Sequence, residues 1–212
     1  ELSRADAEDR RGSVAGLVED SLTYGGLILI PGLFGGILLG DRLLRIYGPE
    51  FVTGASVLWL LILSTLLYGY QKQLLNALNG IDYPEATFRI NAVFIATNVV
   101  LNVILISTVG LVGAAVATVL SAGTGVALAL YTLRSEIEFA IPLGEIARQF
   151  TAAVVMTAVV VGAETVVQTA IGLNHNFATV VLLVGVGAAT YFLVLFGISP
   201  AFRSTVIDNS PF

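Results

Sequence analysis

Residues 90–133 read INAVFIATNVVLNVILISTVGLVGAAVATVLSAGTGVALALYTL, 44 positions without an Asp, Glu, Lys, Arg or His. As one helix rising about 1.5 Å per residue, the run would reach about 66 Å, roughly twice the ~30 Å hydrocarbon core of a bilayer. It must double back, and Gly110-x-x-Gly113 near its middle marks the place. The stretch predicts a transmembrane helical hairpin.

The rest of the chain agrees. Of 212 residues, 56% are hydrophobic and 12% charged, and the mean hydropathy is +0.90. A soluble domain carries about 25% charged residues, so the chain reads as an all-α integral membrane protein. It has no Cys and one His, which excludes disulfides, thiolate metal sites and a Cys nucleophile. The net charge is −5, and Lys72 is the only lysine beside nine arginines. Nucleic acid is not an expected partner, because phosphate backbones are met by basic surfaces. An acidic, lysine-poor composition suggests a halophilic source, where salt screens repulsion among carboxylates.

Six apolar segments of spanning length follow one another, over roughly 17–40, 54–78, 86–107, 111–133, 147–171 and 177–198. Together they define a transmembrane region over 17–198, preceded by a polar lead over 1–16 and followed by a tail over 199–212. The lead lacks the apolar core of a signal peptide, and a chain opening at Glu1 reads as a piece of a longer polypeptide. No connection is long enough to hold a catalytic domain.

The turn between segments two and three predicts a left-handed stop at Gly80 after Asn79 and an N-cap at Asp82. Pro49 and Pro142 suit helix starts. With the N-terminus on one side, that side collects Arg4, Arg10, Arg11, Lys72, Arg89, Arg134, Arg148 and Arg203, and the other only Arg42 and Arg45. The positive-inside rule then places both termini in the cytoplasm.

Polar residues inside the spans are the candidates for function. Tyr68, Lys72, Asn76 and Asn79 share a face of segment two, and Asn91, Asn98 and Asn102 share a face of segment three. Facing one another, they would line a wet path, with Arg89 near its cytoplasmic end; the alternative is amides acting as interhelical glue, Lys72 snorkelling and Arg89 anchoring at the interface. Glu164, with Thr157 and Gln168 on its face, is the acid deepest in a span and an ion-coupling candidate, or else a hydrogen-bonded carboxyl near the outer interface. Pro31, Gly32, Gly35 and Gly36 form a candidate hinge, or a static kink with close packing. Gly113, Ala117, Ser121, Gly125 and Ala129 recur every fourth residue, as a helix-packing ridge does. His175 reads as a solvated loop residue. No catalytic set, metal spacing or phosphate loop appears, so neither an enzyme nor a cofactor is expected.

The segment Leu74-Leu75-Asn76-Ala77-Leu78-Asn79-Gly80, a turn with Pro84, Asn98 to Ile106, and Gly110-x-x-Gly113-Ala114-Ala115 resembles the polysaccharide-biosynthesis flippases. These belong to the multidrug, oligosaccharidyl-lipid and polysaccharide exporter (MATE-like) superfamily. The lead-in, with Pro31-Gly32-x-x-Gly35 and Tyr47-Gly48-Pro49-Glu50-Phe51, is similar to the start of that family's second half, and the likeness covers roughly residues 14–150. It implies one six-helix lobe of a two-lobe fold, from a haloarchaeal source, with the N-terminal six-helix lobe missing. It also implies membrane lipid and a lipid-linked sugar as partners, alternating access, and basic cavity residues for the substrate's pyrophosphate. Lys72 and Arg89 are the candidates for that role. Two other functions stay open: half of a cation-coupled multidrug exporter working through Glu164, and a non-transporting scaffold of a glycan-assembly complex.

Overall fold

The computed structural model describes residues 2–167 and 176–208. Among these, every regular element is helical: α1 (Leu2–Gly25), α2 (Leu29–Arg45), a 3-10 turn (Pro49–Gly54), α3 (Ala55–Gly80), α4 (Pro84–Val109), α5 (Leu111–Glu136), α6 (Leu143–Val166), α7 (Asn176–Ile198) and α8 (Pro200–Asp208). Among the described residues six stretches are long and apolar enough to cross a membrane: Arg11–Arg45, Pro49–Gly80, Pro84–Val109, Leu111–Glu136, Leu143–Val166 and Asn176–Ile198. The all-α membrane architecture follows from keeping every backbone N–H and C=O paired inside its own segment, as lipid requires.

The hairpin in the charge-free run is made by two glycines with different tasks. Gly110 closes α4 and opens α5 with φ +68°, in the left-handed region, and its N–H bonds to Ile106 O at 3.0 Å. Gly113 permits the crossing that follows, since a Cβ there would lie 2.1 Å from the Leu105 carbonyl oxygen.

The turn between α3 and α4 differs from the expectation. Gly80 is still helical, and the left-handed residue is Asp82 at φ +59°. Tyr83 N–H bonds to Leu78 O at 2.9 Å and Asp82 N–H to Asn79 O at 3.2 Å, the paired bonds of a Schellman stop. Pro84 explains the shift: it disfavours helical backbone at Tyr83, the actual N-cap, and itself occupies the first turn of α4.

The segment read as one span over 17–40 is two helices, interrupted by a turn at residues 26–28. α1 reaches back through the polar lead to Leu2, and α8 occupies most of the tail. Pro31 lies in the first turn of α2, where N–H groups have no intrahelical acceptor in any case. The interruption therefore sits at residues 26–28, before the proline.

The chain forms two compact units. The first comprises residues 1–26 and 60–142, the second residues 27–59 and 143–212. In the first, Val18 and Leu22 of α1, Leu74 and Leu78 of α3, Ile90 of α4 and Leu133 of α5 belong to one apolar cluster. The whole small-residue ridge of α5 is buried, so its packing role holds. The Glu19 carboxylate accepts the Ala140 N–H at 2.7 Å and ties α1 to the segment after α5. Beyond Ala86 and Ile90, α4 buries nothing; exposed Ile95, Val99 and Val103 present the apolar surface that lipid tolerates.

In the second unit, α2 packs on α6 and α7, and α6 on α7. Phe34 meets Phe150 edge-on with ring centroids 6.0 Å apart. Gly187 of α7 lies against α6, where a Cβ would come within 3.2 Å of Val160 Cγ2.

Candidate substrate path

The residues of α3 separate by face. Leu74, Leu75, Leu78 and Gln71 are buried, whereas Tyr68, Lys72, Asn76 and Asn79 are exposed. Steps of three and four residues hold those four on one side of the helix. Among the described residues Lys72 has no ion-pair partner, so its ammonium is open to an external anion. It lies about 12 Å of helix rise before Gly80.

Two asparagines of α4 bond to each other. Asn102 Nδ2 donates to Asn98 O at 2.8 Å and to Asn98 Oδ1 at 3.0 Å. The Asn102 Nδ2 is thus engaged on its own helix, one turn back. Arg89 pairs with Glu85 at 3.5 Å, both side chains about three-quarters exposed. This is a solvated i,i+4 pair in the first turns of α4, of the kind that contributes little to stability.

Two polar residues escaped the sequence reading. Gln71 is fully buried and neither amide atom has a hydrogen-bond partner among the described residues. Its amide presses on Gly125, where a Cβ would lie 2.4 Å from the amide carbon. Only a glycine in the α5 ridge leaves room for it. The signal was a gap in the ridge opposite a glutamine, legible only once the two helices are known to pack.

The second is Arg42. Its Nε donates to Glu164 Oε1 at 2.7 Å, with side-chain exposures of 27% and 22%. Asn176 Nδ2 donates to the Arg42 carbonyl at 2.8 Å. One polar cluster thus joins α2, α6 and the start of α7. The carboxylate singled out as an ion-coupling candidate has a built-in cation. Gln168, its proposed companion, and His175 lie outside the described residues.

At the other end of α6, Glu145 pairs with Arg148 and accepts the Ser199 hydroxyl at 2.6 Å. Ser199 Oγ in turn accepts the Phe202 N–H at 3.0 Å, and Arg203 donates to Gly197 O at 2.7 Å. These bonds fix α8 against the end of α7. The hinge candidates are spread by environment: Gly36 is buried, whereas a Cβ on Gly32 or Gly35 would meet nothing within 4 Å. Among the described residues no three His, Asp or Glu side chains gather as a metal site.

Comparison with known proteins bears on the family and the fold. A family model described as lipid II flippase MurJ matches residues 1–187. A probable flippase of Haloferax volcanii, AglR, is 38% identical over 205 residues, covering 93% of this chain and 41% of the relative. A probable low-salt glycan biosynthesis flippase of the same organism, Agl15, is 27% identical over 168 residues, covering 79% of this chain and 36% of the relative. Among solved structures, a lipid II flippase MurJ in an inward closed conformation superposes with a TM-score of 0.76 at 17% identity. That likeness, over 94% of this chain and 41% of the other, is one of fold. The chain spans about two fifths of the length of these relatives.

Proposed function

The chain belongs to the lipid II flippase MurJ family, and from that premise we propose that it forms the C-terminal lobe of a flippase for lipid-linked oligosaccharide. In this reading the protein turns its substrate across the cytoplasmic membrane by alternating access, supplying cell-surface polysaccharide or glycoprotein assembly. A further six-helix lobe completes the transporter, within the wider MATE-like superfamily. The six spans carry both termini on the cytoplasmic side, as the count of cations favours.

The observation that carries the reading is the exposed α3 stripe with Lys72 at its centre. A cation inside a span is costly, by up to about 2.5–3.5 kcal/mol at the centre on insertion scales and less toward the ends. It is retained where it faces water or an anion, and the phosphates joining a lipid to its sugar supply the anion. Asn76 and Asn79 extend the path toward the cytoplasmic end. Asn98 and Asn102, bonded to each other, form its less available wall, and Arg89 its exposed rim. The interruption at residues 26–28, with Pro31, Gly32, Gly35 and Gly36 just beyond, is the flexing point of the first span.

The exporter reading would route a cation through Glu164. Arg42 already neutralises that carboxylate at 2.7 Å, which argues for a structural pair. A glycan-assembly scaffold would co-purify with glycosyltransferases yet leave labelled lipid on its original leaflet.

Complementation tests the proposal. In a cell lacking its own flippase, the full-length protein should restore surface glycan, and Lys72→Ala should not. Rescue by residues 1–212 alone would refute the half-transporter reading, and full rescue by Lys72→Ala would refute the path.

A further inference from the structure

One cleft lies wholly within the first unit, between α3, α4 and α5. Its volume is about 220 Å³, and Ser64, Thr65, Tyr68, Phe94, Thr118 and Ala122 line it. The surface they present is almost wholly apolar. Ser64 Oγ and Thr65 Oγ1 both donate to Leu61 O at 2.8 Å, and Thr118 Oγ1 donates to Ala114 O at 2.9 Å, so each hydroxyl is turned onto its own helix. The Tyr68 and Phe94 rings, with centroids 6.1 Å apart, supply much of the remaining wall. Such a cleft suits a chain that asks for no hydrogen bond.

Its depth and its neighbour narrow the choice. Tyr68 lies about 18 Å of helix rise before Gly80, and Phe94 about 15 Å after Pro84, so both stand near the middle of a ~30 Å hydrocarbon core. The cleft is continuous with the exposed face of α3, where Leu61, Thr65, Tyr68, Lys72, Asn76 and Asn79 follow in steps of three and four. That line is apolar over its first half and cationic, then amide, over its second. An amphiphile with an anionic head has the same order. A bulk lipid keeps its phosphate at the interface and would bring only the middle or end of its chain to this depth. A phosphate held at Lys72 instead brings the carbons next to it to Tyr68, one turn away.

We propose that this cleft receives the first part of the substrate's own lipid chain, next to the phosphate that Lys72 meets. The inference rests on the flippase reading for the identity of the substrate, and adds which part of that substrate this lobe holds. Lipid tails are as apolar as the cleft, so hydrophobicity does not favour one chain over another. The substrate's chain is favoured because its phosphate tethers it there.

Photolabelling of the full-length protein in phosphatidylcholine nanodiscs tests it. Two probes are alkyl-phosphate hexoses, one with a diazirine beside the phosphate and one with it at the chain end; the third is phosphatidylcholine with a diazirine at mid-chain. The first probe should label Tyr68 and Phe94 several-fold more than the second, and excess unlabelled alkyl-phosphate hexose should displace it. Lys72→Ala should lower that labelling about tenfold or more, as loss of a charge-assisted contact does. Thr65→Trp, which fills the cleft from an exposed position, should cut it by more than half. Equal or stronger labelling by the chain-end probe, labelling by phosphatidylcholine that the hexose lipid does not displace, or labelling unchanged in either variant would overturn the proposal by giving the cleft to bulk lipid. Displaceable labelling confined to other parts of the protein would overturn it and leave the flippase reading standing. No displaceable labelling anywhere would overturn both.

Discussion

Arg42 Nε lies 2.7 Å from Glu164 Oε1, closing an ion pair between α2 and α6 across 122 residues of sequence. Both side chains are roughly three-quarters buried, so neither charge is fully solvated when its partner is removed. Fully buried pairs lose about 3–5 kcal/mol on such a change, and this partly exposed one should lose about 1–3 kcal/mol. Arg42→Gln and Glu164→Gln should each lower the melting temperature in detergent by roughly 3–10 °C. The double variant should lose clearly less than the sum of the two, because no charge is left unpaired. Strict additivity would show that the pair does not form.

The α4–α5 hairpin depends on backbone contact at Gly113. A Cβ there meets the Leu105 carbonyl at 2.1 Å, an atom of main chain that cannot swing aside. Gly113→Ala should cost about 2–3 kcal/mol or more through overpacking and be read as a loss of folded yield. Gly123, also on α5, has nothing within 4 Å of the same position. Gly123→Ala should be neutral or slightly stabilising.

Gln71 carries a buried amide with no hydrogen-bond partner. Replacing it by Met keeps the length and removes a desolvation cost of about 1–3 kcal/mol. Gln71→Met should therefore raise the melting temperature by about 2–8 °C. A drop would mean that the amide is hydrogen-bonded when the protein is folded. Gly125→Ala, which pushes into that amide, should lower it.

What the sequence disclosed and what it hid follow from the range of each interaction. The hairpin and the α5 ridge were legible because their causes lie within a few residues: a charge-free run, two glycines, and small side chains at every fourth position. The α3 stripe was legible for the same reason of spacing. Asp82 was misread because a proline two positions later sets the turn, and its left-handed backbone is more often given to glycine. The break in the first span was obscured by Pro31, which draws attention to itself although the first turn of α2 absorbs it. Arg42 and Gln71 were beyond reach, because their surroundings come from Glu164 and Gly125, each supplied by another helix. The bond between Asn98 and Asn102 was not anticipated, although its i,i+4 spacing lies in the sequence.

The path proposed along α3 gives a specific expectation for charge. Lys72→Arg keeps a cation that can pair with phosphate and should retain part of the activity, whereas Lys72→Gln should fall to the level of Lys72→Ala. A charge-assisted contact contributes about 1.5–3 kcal/mol, or roughly ten- to a hundredfold in substrate affinity. Asn76→Ala and Asn79→Ala should each cost about three- to tenfold. Titrating a lipid-linked sugar against the five variants in the full-length protein checks the order.

Leaflet exchange of a fluorescent lipid-linked oligosaccharide is the most direct measurement, made in vesicles reconstituted with the full-length protein and read by dithionite bleaching of outward-facing label. The account predicts bleaching beyond the outer-leaflet fraction with the wild type, slowed about tenfold or more by Lys72→Ala. A bleached fraction no greater than in protein-free vesicles, or equal rates for wild type and Lys72→Ala, would contradict it.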